Sequence, residues 1–368
     1  MKRLTTLLAA VVLAATTALT ACAPTSTAPG GAEASSSATS PRIKYVINGT
    51  LGDKSFIDSA YRGLTKAADE LGFSVKTVEL GYDESSWESG LQDAAAGDDY
   101  DILVAGSFSM SDYVGRVAPE YPDKKFWVYD APPDYSGKVG CSNKCENVYS
   151  VTFKQNEGSY LVGYLLQKTI ASGTLPNATG LKKVGVVGGQ DIPVINDFIV
   201  GFTDGFVAAG GSKDDVLVQY VGGDKAFNDP AKGKEIATSM FDAGAVAVWG
   251  VAGGSGAGVM EAAADKGLYS IGVDSDQYLT VTDEVLRATI ITSMVKNVDQ
   301  ALFRAAQLEL DGTLVYGAAE NVGVADDGVA IATDNDNFAK LVPADVKTEL
   351  DGVYEQIKAG KITVSTAF

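Results

Sequence analysis

Residues 43–72 read IKYVINGTLGDKSFIDSAYRGLTKAADELG. The stretch has three parts. Ile43–Asn48 is an apolar run of strand character. Gly49–Phe56 is a loop of Gly, Asp, Lys and Ser closed by an aromatic. Asp58–Leu71 puts Ala60, Leu64, Ala67, Ala68 and Leu71 on one helical face, and Gly72 stops it. Strand, polar loop and amphipathic helix make half of a β-α-β unit.

The same rhythm runs outward from this unit. Strands are expected at Val75–Leu80, Ile102–Ala105 and Phe126–Asp130, with helices at Ser86–Ala96 and Met110–Glu120 between them. Beyond a loop that carries two cysteines come Val184–Val187, Val216–Val221, Val246–Trp249 and Ser270–Val273. Helices near Phe198–Ala208, Lys232–Ala243 and Gly258–Lys266 separate these. Most of the strand runs are continuously apolar, as strands covered by helices on both faces must be. Repeated β-α-β units of this length imply parallel sheets, and two blocks of the rhythm imply two similar α/β lobes.

Ligands of open α/β sheets bind outside the carboxyl ends of the strands. The residues just past each strand are therefore informative. Asn48 and Asp53 come after the first, Gly106-Ser107-Phe108 after the third, and Asp130 ends the fourth. Gly188-Gly189-Gln190-Asp191-Ile192-Pro193, Gly253-Gly254-Ser255-Gly256 and Asp274-Ser275-Asp276-Gln277 come after later strands. Gly and Asp make turns and caps in any protein. That explains less well why Asp130 and Asp274 both sit directly on apolar strand ends. The glycine run from Gly253 to Gly258 breaks the G-x-G-x-x-G spacing, because Val259 stands where the third glycine belongs. It is left with two uses, backbone donation to a ligand or tight strand-helix packing.

The N-terminus is of another kind. Lys2 and Arg3 precede an apolar run, Leu4 to Leu19, that ends in Leu19-Thr20-Ala21-Cys22. This is the layout of an export signal rather than of a membrane span, for which the run is short. Its end resembles the lipobox of bacterial lipoproteins, which implies acylation of Cys22. Residues 1–21 are then the signal peptide. The Ala, Ser, Thr, Pro and Gly of residues 22–41 form a flexible tether. Roughly 325 residues remain after it, enough for two lobes.

Composition excludes several classes. The chain carries 29 Lys and Arg against 47 Asp and Glu, a net charge of −18. Removal of Lys2 and Arg3 with the signal makes it more acidic still, so no nucleic-acid partner is expected. There is no histidine, which removes Ser-His-Asp and Cys-His catalysis and the common zinc sites. Cys141 and Cys145, in Cys-Ser-Asn-Lys-Cys, are read as a local disulfide outside the cytoplasm, with free thiols as the alternative. No metal and no cofactor are expected.

The string from Gly52 to Ala60, continued by Gly63-Leu64, resembles the opening signature of the basic membrane protein family. These are nucleoside-binding lipoproteins of ABC transporters with the type I periplasmic-binding-protein fold. The resemblance continues through Tyr121-Pro122-Asp123-Lys124-Lys125-Phe126, Gly188-Gly189 with Ile192-Pro193, and Phe198 with Gly201-Phe202. It runs on through Asn228 to Lys234, Ile271 to Gln277, and Thr292-Ser293-Met294-Val295-Lys296.

The resemblance implies two Rossmann-like lobes joined by a hinge. Lobe 1 is expected over residues 42–148 and 278–311, lobe 2 over 149–277 and 312–368. It implies a purine nucleoside held between aromatic rings, Phe56 on one side and Phe227, or else Phe198, on the other. Asp130 would accept from the base edge, and Asp274 and Lys296 would hold the ribose. Asp53 and Gly253 complete the expected set. Asn48 stands where the family usually has an aspartate. The implied partners are a nucleoside, an ABC-transporter permease and, through the lipid, the membrane. A monomer without enzymatic activity is expected. The alternatives are the same scaffold holding a sugar or another small metabolite, and an anchored hydrolase working with Asp130 and Asp274.

Overall fold

The structure, a computed structural model, describes Ser40–Phe368. Cys22, the expected signal peptide and nearly all of the expected tether lie outside the described residues. Among the described residues no helix is long and apolar enough to cross a membrane.

The chain builds two six-stranded sheets. The first contains β1 (Arg42–Ile47), β2 (Ser74–Glu79), β3 (Ile102–Gly106), β4 (Lys125–Tyr129), β5 (Val148–Phe153) and β11 (Ala318–Val322). Its order is β11-β5-β4-β3-β1-β2 and all its pairs are parallel. The second contains β6 (Lys183–Gly188), β7 (Val216–Tyr220), β8 (Ala245–Val251), β9 (Tyr269–Asp274), β10 (Ile290–Lys296) and β12 (Val329–Ile331). Its order, β12-β10-β9-β8-β6-β7, repeats that of the first. The one departure from an all-parallel arrangement is β12, which runs antiparallel to β10. The fold is therefore α/β with two doubly wound lobes.

Helices fill the connections. In the first lobe these are α1 (Phe56–Leu71), α2 (Trp87–Ala95) and α3 (Phe108–Val117). In the second they are α4 (Gln155–Ala171), α5 (Pro193–Ala208), α6 (Pro230–Asp242) and α7 (Gly256–Lys266). Single turns α8 (Gln277–Thr280) and α9 (Glu284–Arg287) precede β10, and α10 (Val298–Leu310), α11 (Asp336–Leu341) and α12 (Ala344–Lys358) complete the chain. Central strands β3, β8 and β9 are buried at every residue, while edge strands β2 and β7 expose part of theirs, which is why only the former read as unbroken apolar runs.

The lobe boundaries expected from sequence need correction. Val148–Phe153 belongs to the first sheet, so the cysteine loop is only the β4–β5 connection. Within 278–311, the strand β10 joins the second sheet, whereas α10 packs on α1 of the first lobe. Ala318–Val322 returns to the first sheet. The chain thus crosses between lobes three times, after Phe153, after Lys296 and after Val322. No Gly- or Pro-rich linker marks these places. The amide of Lys154 donates to Val322 O at 2.9 Å, and that of Asn297 to Gly328 O at 2.9 Å, so neighbouring crossings are bonded to each other.

Helix α4 shows why part of the second lobe was not evident. Its buried residues run from Gln155 to Thr169 with few gaps, so it has no polar stripe to reveal a helical period. It packs against α5 at backbone distance. A Cβ on Gly201 would overlap the backbone of Asn156, one on Gly205 the carbonyl of Tyr160, and one on Gly163 the carbonyl of Phe202. Cys141 and Cys145 form a disulfide with Cα atoms 4.8 Å apart, fully buried against α3 with Val114 and Val148.

A Gly→Ala change inside a helix ordinarily stabilises by about 1 kcal/mol. Gly352 in α12 has open space around it, so Gly352→Ala should gain close to that amount in urea unfolding. Gly205→Ala should reverse the sign and lose about 1–3 kcal/mol, because the α4 backbone blocks the added methyl.

Candidate ligand-binding site

The loop after β1 is braced by two carboxylates of its own. Asp53 accepts from the amides of Ser55 (3.0 Å), Ile57 (2.9 Å) and Asp58 (3.0 Å), and so caps α1. Asp58 in turn accepts from Gly52 and Lys54 at 2.8 and 2.9 Å. This reciprocal cap fixes Phe56 as the first residue of α1, facing the space between the lobes. Asp53 lines that space, but its two oxygens are occupied by the helix start.

Three buried ionisable groups lie at the inner end. Lys296 ends β10 and is 2% exposed. It is ion-paired with Asp130, which directly succeeds β4. Its ammonium also lies 5.4 Å from the ring centre of Phe56, 5.2 Å from Phe153 and 5.3 Å from Phe198, an aromatic enclosure of the kind that attracts cations. Asp274, the last residue of β9, accepts from Ser55 Oγ at 2.5 Å. Burial raises its carboxyl to about 6, against the opposing pull of the Lys296 charge and the Ser55 hydroxyl. Asp130 and Asp274 have φ of 85° and 64°, and Ser107 has 96°. Non-glycine residues rarely adopt such angles. Here three of them sit where strands end at the cleft, and backbone strain of this kind concentrates at functional sites.

Aromatic walls face one another above this polar end. Phe56 leans on Tyr129 with ring centres 5.1 Å apart. Tyr129 and Tyr45 share a hydrogen bond of 2.6 Å beneath it. Across the cleft, Phe227 lies directly over Gly189, where any side chain would collide with its ring. Phe198 is 3% exposed and meets Trp249 edge-on at 5.8 Å, so it shows the cleft far less surface than Phe227 does. Asn48 donates from Nδ2 to Ser107 Oγ at 2.8 Å.

One cavity of about 320 Å³ is lined by all nine residues singled out from sequence: Asn48, Asp53, Phe56, Asp130, Phe198, Phe227, Gly253, Asp274 and Lys296. The glycine run serves both uses considered for it. Gly253 lines the cavity, while Gly258 lets α6 and α7 approach at the backbone of Pro230. Sequence reasoning missed Tyr82 and Trp87, which also line the cavity. Both lie just past β2, and the strand-end rule applied there would have found them. Asp130 contacts Lys296 across the cleft.

Stability should carry the signature of Asp274. An unfolded aspartate titrates near 3.8 and this buried one near 6, so folding takes up a proton between those values. Stability present below pH 4 is then lost as pH rises through 6, by about 3 kcal/mol for a shift of this size. Denaturant unfolding at pH 4 and 7.5 should show Asp274→Asn gaining on the native chain by about 2–3 kcal/mol across the interval. A constant difference would mean that Asp274 is ionised throughout.

The family model that matches residues 40–364 is described as Bmp, ABC transporter substrate-binding protein PnrA-like. Basic membrane protein A of Borreliella burgdorferi is 30% identical over 335 residues, covering 88% of this chain and 87% of its own. The ABC transporter nucleoside-binding protein BmpA of Lactococcus lactis is 30% identical over 333 residues, covering 85% and 86%. A crystal structure of an ABC-transporter solute-binding protein from Aeropyrum pernix superposes with a TM-score of 0.75 at 26% identity, over 89% of this chain and 93% of that one. Proteins of this kind bind a solute and present it to a permease without transforming it, which removes the hydrolase reading. This chain belongs to the Bmp family of PnrA-like ABC transporter substrate-binding proteins.

Proposed function

We propose that the chain captures a nucleoside, a purine nucleoside first of all, in the cleft between its lobes, for delivery to an ABC permease from an anchor at acylated Cys22. The observation that carries this reading is the pairing of one polar end with two aromatic walls in a single cavity. Vicinal ribose hydroxyls suit the carboxylates of Asp130 and Asp274 as acceptors and the Lys296 ammonium as donor. A flat base suits the space between Phe56 and Phe227, since every base has a π-face. The base edge then falls to Asn48 and Ser107, which line the same cavity past the ends of β1 and β3. The name of the Lactococcus relative, a nucleoside-binding protein, agrees with this reading. So does that of a Pyrococcus abyssi relative, called an uncharacterized lipoprotein and 30% identical over 311 residues, with the anchoring.

Calorimetric titration with adenosine and adenine tests the ligand. Phe56→Ala should weaken adenosine binding about ten- to a hundredfold, the usual worth of a base–aromatic contact. Asp274→Ala should weaken it at least as much, because hydroxyls enclosed in the cleft lose their acceptor. It should also erase the preference for adenosine over adenine, which Phe56→Ala should leave in place. Undiminished adenosine binding by Asp274→Ala would sink the ribose assignment. For the anchor, Cys22→Ser should move the protein from the membrane fraction to the soluble one; unchanged fractionation would refute acylation at Cys22.

A further inference from the structure

The cleft extends well beyond its polar end. In the first sheet the order from the crossings outward is β4-β3-β1-β2, and in the second β10-β9-β8-β6-β7. Asp130 directly follows the inner strand β4, and Lys296 ends the inner strand β10. Tyr82 and Trp87 lie past the end of the outer strand β2, and Asp224 past that of the outer strand β7. Neighbouring strands stand about 4.8 Å apart, so the three steps from β4 to β2 cover about 14 Å. Residues from both extremes line the same cavity.

The chemistry of the two ends differs. Trp87 donates from Nε1 to Gly81 O at 2.8 Å, so its one polar group is already used and its carbon face is what the indole can offer a ligand. Tyr82 packs over the β1 loop, its ring 3.2 Å from where a Cβ on Gly49 would lie. Both rings are half-buried, as is Phe108 at the start of α3. A nucleoside with its ribose at Lys296 points the opposite edge of its base outward. For a purine that edge bears the 2- and 6-positions.

We propose that Tyr82, Trp87 and Phe108 form a distinct outer subsite, which admits a planar apolar substituent on the outer edge of the base. The cleft thereby takes base-substituted nucleosides as well as plain ones. This inference rests on the nucleoside reading above and adds to it the class of ligand that the outer end accepts. Trp87 acts as its specificity-determining residue through contact with the substituent and not with the sugar.

The test is calorimetric titration of the full chain with adenosine and N6-benzyladenosine. The native chain should bind the benzyl derivative within about threefold of adenosine, or more tightly. Trp87→Ala should weaken the benzyl derivative about tenfold more than it weakens adenosine, the scale expected for one lost aromatic contact. Trp87→Phe should keep the native ratio of the two affinities. The proposal is overturned if the benzyl derivative binds the native chain a hundredfold more weakly than adenosine, since the outer end is then closed. It is equally overturned if Trp87→Ala weakens both ligands alike. Should Trp87→Ala not fold, Tyr82→Ala takes its place with the same selective loss expected and the same equal loss overturning it. Binding of adenosine without its derivative removes this proposal alone; binding of neither removes the nucleoside reading with it.

Discussion

A single ammonium, Lys296, is buried where two lobes meet, and the rest of the molecule is arranged around it. A charge withdrawn from water must be paired, and removal of its partner typically costs about 3–5 kcal/mol. Its partner Asp130 stands on the other sheet. The ion pair therefore fixes the register of one lobe against the other as well as satisfying both charges. Asp274, nearby and hydrogen-bonded to Ser55 of the first lobe, adds a second link of the same kind. The inner end of the cleft is thus polar and buried, with two carboxylates and an ammonium held in position by contacts between the lobes.

The parts of this arrangement differ in how openly the sequence declares them. The β-α rhythm was legible because central strands such as β8 are apolar at every position. Asp130 and Asp274 were legible because each ends such a run abruptly with a carboxylate. The pairing of Asp130 with Lys296 was not, since 166 residues separate the two and only the folded sheets bring them together; Asp274 and Lys296 were placed together only through the family resemblance. Helix α4 was hidden by its own burial, which erases the amphipathic stripe that usually marks a helix. The lobe boundaries were hidden by their brevity: two crossings are the single residues Lys154 and Asn297 and the third is the short stretch 323–328, and the conspicuous cysteine loop drew the boundary away from them. Asp53 taught the opposite lesson. It looked like a ligand group and lies in the cleft, yet the amide of Ser55 and two amides of α1 hold it.

Glycines mark the close approaches that this geometry needs. Phe227 faces the cleft because Gly189 leaves room beneath its ring, and α4 and α5 touch because Gly163, Gly201 and Gly205 carry no side chain. In both cases the missing atom sets the position of something else, an aromatic wall in the first and the whole second-lobe helix layer in the second.

The three crossings, bonded laterally through Lys154 to Val322 and Asn297 to Gly328, have a mechanical meaning. Strips joined edge to edge bend easily across their flat direction and resist both sliding and torsion. Any swing of one lobe is then a rotation about that strap, and displacement grows with distance from the axle. Lys296, one residue from its crossing, has almost no lever arm. Tyr82 and Trp87, at the far strand, have the longest. Under such a rotation the aromatic end moves farthest and the Asp130–Lys296 ion pair least.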